Sequence, residues 1–398
     1  MSMRRIVVVG GGAVGLATAR QILERAPGTQ LTLVEKEPGV GRHQTGNNSG
    51  VLHCGLHYKT GSRKAKLAVR GIRQMTAFCQ EHGIAHNICG NLVVATSEEQ
   101  IPRLRSLLER GTANGLSRLR LVSQEEMREI EPYVGGLAGL RVPEEGIVDY
   151  PAVCEALKSD IEKCGGTVVL SAAVRKLARN AQEWRVETLV GDFAADVVVT
   201  CAGLQADRVA RLGGVCPEVK IVAFRGDYFK LRPEREYLVR NLIYPVADPK
   251  FPFLGVHFTR MVRGGIEAGP NAVLALDREG YGKLDFDLRD TADALAFPGL
   301  WRFLGKHFST CVGEIHRAFN RALFCRTLQK LVPELREDDL LEGGSGVRAQ
   351  AMLRDGSLVE DFEYSILDRA VHVLNAPSPA ATASLAIGEE IAELALSQ

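Results

Sequence analysis

The run Arg5-Ile-Val-Val-Val-Gly10-Gly-Gly-Ala13-Val14-Gly15 decides how this chain starts to fold. A β-branched run without polar alternation is the pattern of a strand buried on both faces. Apolar residues then recur at helical spacing, Leu16, Ala19 and Leu23, until Pro27-Gly28 stops the helix at about Arg25. Leu31-Thr-Leu-Val-Glu35 reads as a second strand that ends in an acid, 20 positions beyond Gly15. Strand, glycine loop, helix and strand together form the βαβ unit that holds dinucleotides. Gly10 permits the tight turn, Gly12 lets backbone approach a pyrophosphate, and Gly15 lets helix and strand pack closely. The N–H groups at the helix start, with Ala13 and Val14 in the loop, offer the phosphates a positive dipole end. Glu35 would accept hydrogen bonds from ribose hydroxyls, and its charge disfavours a 2′-phosphate.

FAD or NAD would satisfy that unit. The second glycine-rich loop favours FAD, whose length needs support along the whole ligand. That loop contains Thr45-Gly-Asn-Asn48-Ser49-Gly50, and Lys36 follows the acid.

The 398 residues carry a net charge of +1, which argues against a polybasic nucleic-acid binder, an acidic tail or a disordered chain. No apolar run approaches the ~20 residues that span a bilayer. Met1 to Arg5 lead straight into the first strand, so no secretory or transit segment is expected, and the expected location is the cytoplasm. Nine scattered cysteines without a CxxC pair fit free thiols and give no support for a metal site.

Further helices are expected over Lys64–Glu81, Glu98–Asn114, Gln124–Glu131, Tyr150–Cys164, much of Phe286–Gln329, and Ala380–Leu396. Strands are expected at Gly90–Thr96, at Thr167–Leu170 as a buried strand, at Val186–Val190, and at Phe193–Thr200 as one piece. Pro217–Ala275 is strand-like with many turns, including Gly255–Thr259, and Val371–Asn375 follows near the end. The fold class is therefore α/β, or α+β overall. A Rossmann-like FAD-binding domain, discontinuous in sequence, would stand beside an antiparallel-sheet substrate domain. The expected boundaries are 1–85, 145–215 and 335–398 for the first, and 86–144 and 216–334 for the second.

Thr45-Gly-Asn-Asn-Ser-Gly-Val-Leu-His53-Cys-Gly-Leu-His57-Tyr58 carries a narrower signal. So do Phe224-Arg-Gly-Asp-Tyr228, Tyr244-Pro-Val246, Phe251-Pro-Phe-Leu-Gly-Val-His257-Phe-Thr259 and Gly269-Pro-Asn271-Ala-Val273. Gly346-Val-Arg348-Ala-Gln350, Leu358-Val-Glu-Asp-Phe362 and Asn375-Ala-Pro-Ser-Pro-Ala-Ala-Thr382 complete the set. With the N-terminal motif, these blocks resemble the flavoprotein superfamily of D-amino-acid oxidase and glycerol-3-phosphate dehydrogenase. Within it they resemble the L-2-hydroxyglutarate dehydrogenases, also called oxidases, over essentially the whole chain. The resemblance implies FAD and the oxidation of L-2-hydroxyglutarate to 2-oxoglutarate, with hydride transfer from C2 to flavin N5. It implies a membrane quinone, another acceptor or oxygen as the electron sink, and shallow peripheral contact with the inner face of the cell membrane. It also sets tyrosines at positions 57 and 58, whereas this chain has His57-Tyr58, which puts a catalytic role for position 57 in doubt.

Oxidising an α-hydroxy acid needs a base for the hydroxyl proton and cations for the carboxylates. His53 and His257 are the candidate bases, left unresolved between them. Arg225 and Arg348 are the candidate carboxylate ligands, because a guanidinium fork grips a carboxylate at two points. Tyr58, Tyr228 and Asn271 are weaker polar candidates. The resemblance further implies that Ala173-Val174, ending a strand, meets the adenine and that Cys201-Ala202-Gly203 meets the adenosine ribose. It places Gly346 beside the flavin, and has Pro377-Ser378-Pro379 open the last helix toward the flavin O2/N1 edge. His43, His53 and Cys54 stand within reach of a covalent link. Two other readings compete: the same flavin chemistry on an amino acid or glycerol 3-phosphate, and a flavin-binding regulatory or tRNA-modifying protein.

Overall fold

A computed structural model describes residues 4–248 and 253–398. Met1 to Met3 and the head of one motif block, Phe251-Pro252, lie outside the described residues.

Arg5–Val9 forms the expected strand, with Ile6 and Val8 fully enclosed, and the helix after it runs Ala13–Arg25. The strand sits inside a six-stranded sheet. Across it run Glu363–Leu367, Ala370–Asn375, Val197–Thr200, Arg5–Val9, Gln30–Val34 and Thr167–Val169. Every pair is parallel except the hairpin at one edge, Glu363–Leu367 with Ala370–Asn375. A sheet whose strands come from residues 5–34, 167–200 and 363–375 is assembled from distant parts of the chain. The final helix, Ser384–Leu396, crosses the first one so closely that a Cβ on Gly388 would stand 2.7 Å from the Ala17 carbonyl carbon. Only glycine allows that approach.

The second sheet has nine strands. Its core is the long antiparallel pair Lys220–Leu231 and Leu340–Met352. Val273–Leu274 and Ile266–Gly269 flank Lys220–Leu231, and His257–Arg260, Leu242–Pro245, Asn91–Ala95, Ala138–Val142 and Arg120–Val122 continue outward. One neighbouring pair, Leu242–Pro245 with Asn91–Ala95, runs parallel. Four helices, Leu288–Leu295, Pro298–Lys306, Phe308–Phe319 and Arg321–Leu328, fill the stretch expected to be helical.

Several expectations are corrected. Thr167–Val169 is not buried, because it closes one edge of the sheet and keeps a solvent face. Phe193–Thr200 is two strands, Asp192–Ala195 and Val197–Thr200, in different sheets. The break falls at Asp196, whose carboxylate receives the Arg5 backbone N–H at 2.8 Å and so pins the turn to the first strand. Val174 opens the strand Val174–Arg179 rather than ending one. The last helix starts at Ser384, and Pro377 to Ala383 form turns before it. All nine cysteines are free.

Candidate active site

The turn after the first strand is built by two glycines that answer to protein atoms and one that does not. A Cβ on Gly10 would lie 2.3 Å from the Cys201 carbonyl oxygen, and one on Gly15 would lie 2.0 Å from the Gly10 oxygen. Gly10 also adopts φ +109°, which side chains rarely reach. At Gly12 the nearest atom to a built Cβ is Thr45 Oγ1 at 3.5 Å, an ordinary contact. The space beside Gly12 is therefore kept open by the protein. It opens into a cavity of about 1740 Å³.

That cavity runs from the glycine turn to the turns before the last helix. Gly10, Gly12, Ala13, Val14, Gly15, Glu35, Lys36, Thr45, Asn48 and Ser49 line one end, with Val174, Cys201, Ala202 and Gly203. The glycine helix points its first N–H groups into this end, and Ala13 N–H bonds Thr45 Oγ1 at 3.2 Å. Glu35 is held by Gly11 N–H at 2.6 Å and Glu37 N–H at 2.9 Å. Lys36 Nζ contacts Glu37 at 2.6 Å, Glu279 at 2.7 Å and His43 Nε2 at 2.9 Å. Burial works against the Lys36 charge, but hydrogen bonds to Glu279 and Glu37 outweigh it and hold the ammonium above its usual range. Glu37, His43 and Glu279 would suit a metal ion by type and spacing, but Lys36 supplies the cation they share.

Toward the other end the cavity meets both sheets. His53, His57, Tyr58, Tyr228, Tyr244, His257, Gly346, Arg348, Ser378 and Pro379 line it. His53 is tied in place by its backbone N–H on Thr382 Oγ1 at 3.2 Å. Its Nδ1 stands 3.5 Å from Oε1 of Glu145, a carboxylate only 1% exposed. Asn91 donates to the other oxygen of Glu145 at 2.7 Å. Burial pushes the Glu145 carboxyl up. The hydrogen bond and charge of His53, with His57 and Asn91, pull it below the usual carboxylate range. Glu145 is therefore an anion, shared among the His53 imidazole, the Asn91 amide and the Cys54 thiol, whose Sγ lies 3.7 Å from Oε1.

His257 differs. Its ring lies against Tyr244, tilted by 43° with centroids 4.1 Å apart, and Nδ1 donates to the Gly255 carbonyl at 2.8 Å. Burial, reinforced by His53 and Arg348, lowers it to about 4 against the hydrogen bond to Gly255 and the Glu145 charge. It is neutral at physiological pH. Burial of the Arg348 guanidinium lowers it from its usual value, against the pull of Tyr228 and Glu314. Its guanidinium lies over the Phe253 ring at 5.6 Å and donates to the Asn271 carbonyl at 3.2 Å. No carboxylate lies within ion-pair distance of it among the described residues. Burial also keeps the phenols of Tyr58 and Tyr228 protonated, although Ser378 and Ser49 respectively oppose the shift.

Four candidates are not brought to the cavity. Arg225 points its guanidinium at Asp227, Nε to Oδ1 2.9 Å, and at the Gly282 carbonyl, 2.6 Å. Its charge is already matched inside the sheet. Asn271 accepts from Asp227 N–H at 2.7 Å and so braces the same pair. Gly50 does not line the cavity; it turns the chain at φ +63° into Val51–Leu52. Cys54 does not line it either, and its thiol is pushed well up by burial.

Glu145 and Lys64 were not anticipated from the sequence, and His57, doubted there, lines the cavity. Glu145 sits in Pro143-Glu-Glu-Gly146, where nothing separates it from an exposed turn acid, yet it is buried beside His53. His57 Nε2 is sealed from solvent and has no hydrogen-bond partner among the described residues. Lys64 lies over Tyr58, and burial lowers its ammonium to about 8.

A family described as FAD dependent oxidoreductase matches residues 5–394. The chain belongs to that family. It is 48% identical over 393 residues to the L-2-hydroxyglutarate dehydrogenase of Indibacter alkaliphilus, covering 98% of each. It is 45% identical over 405 residues to the mitochondrial L-2-hydroxyglutarate dehydrogenase of Homo sapiens, covering 98% of this chain and 88% of the relative. Among solved structures, dithionite-reduced L-alpha-glycerophosphate oxidase from Mycoplasma pneumoniae with FAD bound superposes with a TM-score of 0.81. That likeness, at 22% identity over all of this chain and 95% of the other, concerns the fold.

This oxidoreductase is FAD-dependent, and its own geometry fits the group. The cavity is long, the Gly12 cradle is empty of protein atoms, and a helix start faces it. Glu35 retains acceptor capacity for ribose hydroxyls beyond its two backbone donors.

Proposed function

We propose that the chain oxidises L-2-hydroxyglutarate to 2-oxoglutarate. The observation that carries this reading is that His53, backed by Glu145, and Arg348 line one cavity, added to the full-length similarity to L-2-hydroxyglutarate dehydrogenases. When bound, FAD supplies the acceptor for the hydride that leaves C2. The rest is done by the chain. Glu145 engages His53 Nδ1, which leaves Nε2 as the nitrogen that takes the hydroxyl proton. The buried carboxylate then stabilises the imidazolium that forms. His257, neutral, is a weak base beside the Arg348 cation and serves as a hydrogen-bond partner for the substrate. Arg348 grips one carboxylate, and the protonated Tyr58 and Tyr228 are donors to the dianion. Arg225 braces the sheet from behind.

The reading divides the chain by its sheets: a flavin part around Arg5–Val9 and a substrate part around Lys220–Leu231. Leu340–Met352 then goes with the substrate part. Electrons leave to a quinone-type acceptor or oxygen, with the chain held on a membrane peripherally. No helix among the described residues is long and apolar enough to cross one.

Turnover with a dye acceptor across L-2-hydroxyglutarate, its D isomer, an amino acid and glycerol 3-phosphate tests the substrate. Preference for the L hydroxy acid is expected. Preference for an amino acid or glycerol 3-phosphate would move the chain to another branch of the family.

A further inference from the structure

Phe308–Phe319 is amphipathic in the opposite sense to a helix of a water-soluble protein. Its inward face carries Cys311, Glu314 and Ala318. Its outward face carries Phe308, Val312, Ile315 and Phe319, exposed by 68%, 49%, 52% and 64%. Positions i, i+4, i+7 and i+11 form one stripe along the helix. The preceding helix, Pro298–Lys306, exposes Trp301 while burying Leu300 and Phe303. Four consecutive large apolar positions turned to water would be expensive without something to cover them.

We propose that these two helices are the face by which the protein lies on an anionic lipid surface. Charge selects that occupant. From Pro298 to Arg321 the chain has Arg302, Lys306, Arg317 and Arg321 against one acid, Glu314; Arg317 pairs with Glu314 and Arg321 with Glu337, which leaves Arg302 and Lys306 without an acid partner among the described residues. Glu314 is buried, receives the Ala272 N–H at 2.9 Å and faces away from the stripe. Trp and Phe beside Lys and Arg are the composition of an interfacial helix. A second copy of the chain would bring the same cationic flank against itself, which opposes a self-complementary contact. The face is also next to the cavity. Phe303 contacts Phe224 at 5.6 Å between centroids, Phe224 contacts Phe253 at 5.1 Å, and Phe253 lines the cavity wall. A lipid-soluble electron acceptor would thus arrive three aromatic rings, Phe303, Phe224 and Phe253, from the cavity.

The inference rests on the peripheral reading above and names the surface that serves it. The test uses the full-length FAD-loaded protein and two vesicle types, phosphatidylcholine alone and phosphatidylcholine with phosphatidylglycerol. Co-sedimentation with the anionic vesicles is expected. It should weaken about tenfold in Phe308→Ser/Ile315→Ser and in Lys306→Glu, while the flavin spectrum and thermal stability stay unchanged. Variants that bind like the wild type would overturn this face and leave the peripheral reading standing. Equal binding to phosphatidylcholine alone would overturn the anionic surface. Wild type that binds neither vesicle would overturn both readings. A dimer that the double variant converts to monomer would make the face a self-interface instead.

Discussion

Glu145 Oε1 lies 3.5 Å from His53 Nδ1, and the carboxylate is buried while the imidazole lines the cavity. An enclosed anion behind a histidine fixes its tautomer and stabilises its protonated form. His257 feels the same anion, but burial, His53 and the Arg348 charge outweigh it, and its Nδ1 is taken by the Gly255 carbonyl. The two histidines are equivalent by type, and their surroundings set them apart.

Replacing Glu145 with Gln should lower kcat by about 10–100-fold, with KM changed far less. Glu145→Asp should recover part of the rate. His53→Asn should lose about 10²–10⁴-fold. Steady-state kinetics on the three variants check this, and an unchanged kcat in Glu145→Gln would remove the pair from the mechanism.

The two arginines should separate cleanly. Arg348→Met removes a charged hydrogen-bond donor from the substrate, worth about 1.5–3 kcal/mol, so kcat/KM should fall about 10–100-fold with the fold intact. Arg225→Met leaves Asp227 buried and unpaired, a loss of about 3–5 kcal/mol. Its effect should appear as a lowered melting temperature, before any change in substrate affinity. Steady-state kinetics and thermal melts on both variants decide it.

Gly12 and Gly10 should fail differently. Gly12→Val places its side chain in space held open by the protein and should abolish FAD binding while the apo chain still folds. Gly10→Ala meets the Cys201 oxygen and a strained φ, and should destabilise the apo chain itself by about 1–3 kcal/mol. Flavin content by absorbance and apo melting curves distinguish the two.

Acid should destabilise the fold through its enclosed histidines. Burial lowers His257 and His372 to about 4 from an ordinary 6.5. The native state refuses protons that the unfolded chain accepts. Their contribution is therefore complete above about pH 6.5 and is lost as pH falls toward about 4, by about 1.4 kcal/mol per pH unit for each. Melting temperatures across that interval should fall, less steeply in His372→Gln. Equal slopes in both proteins would exclude His372.

The nucleotide unit was legible because every part of it is local. Strand period, glycine spacing and the acid at Glu35 lie within one short stretch. Glu145 was not, because its meaning depends on His53 and Asn91, brought together only when Val51–Leu52 pairs with Gly146–Val148. Arg225 was misread because its neighbour Asp227 stands two places along the same strand, on the same face, and takes its charge. The separation of Asp192–Ala195 from Val197–Thr200 was hidden inside one apolar run, since only the partner strands distinguish two sheets. The outward stripe of Phe308–Phe319 has ordinary helical periodicity, and the sequence pattern does not show which face meets water.

The most direct test of the proposed chemistry is anaerobic. The purified, yellow, FAD-loaded protein is mixed with L-2-hydroxyglutarate without oxygen or dye, and flavin absorbance is followed. Prompt bleaching by the L isomer is predicted, slowed strongly in His53→Asn. A flavin that stays oxidised with this acid but bleaches with an amino acid or glycerol 3-phosphate would contradict the account.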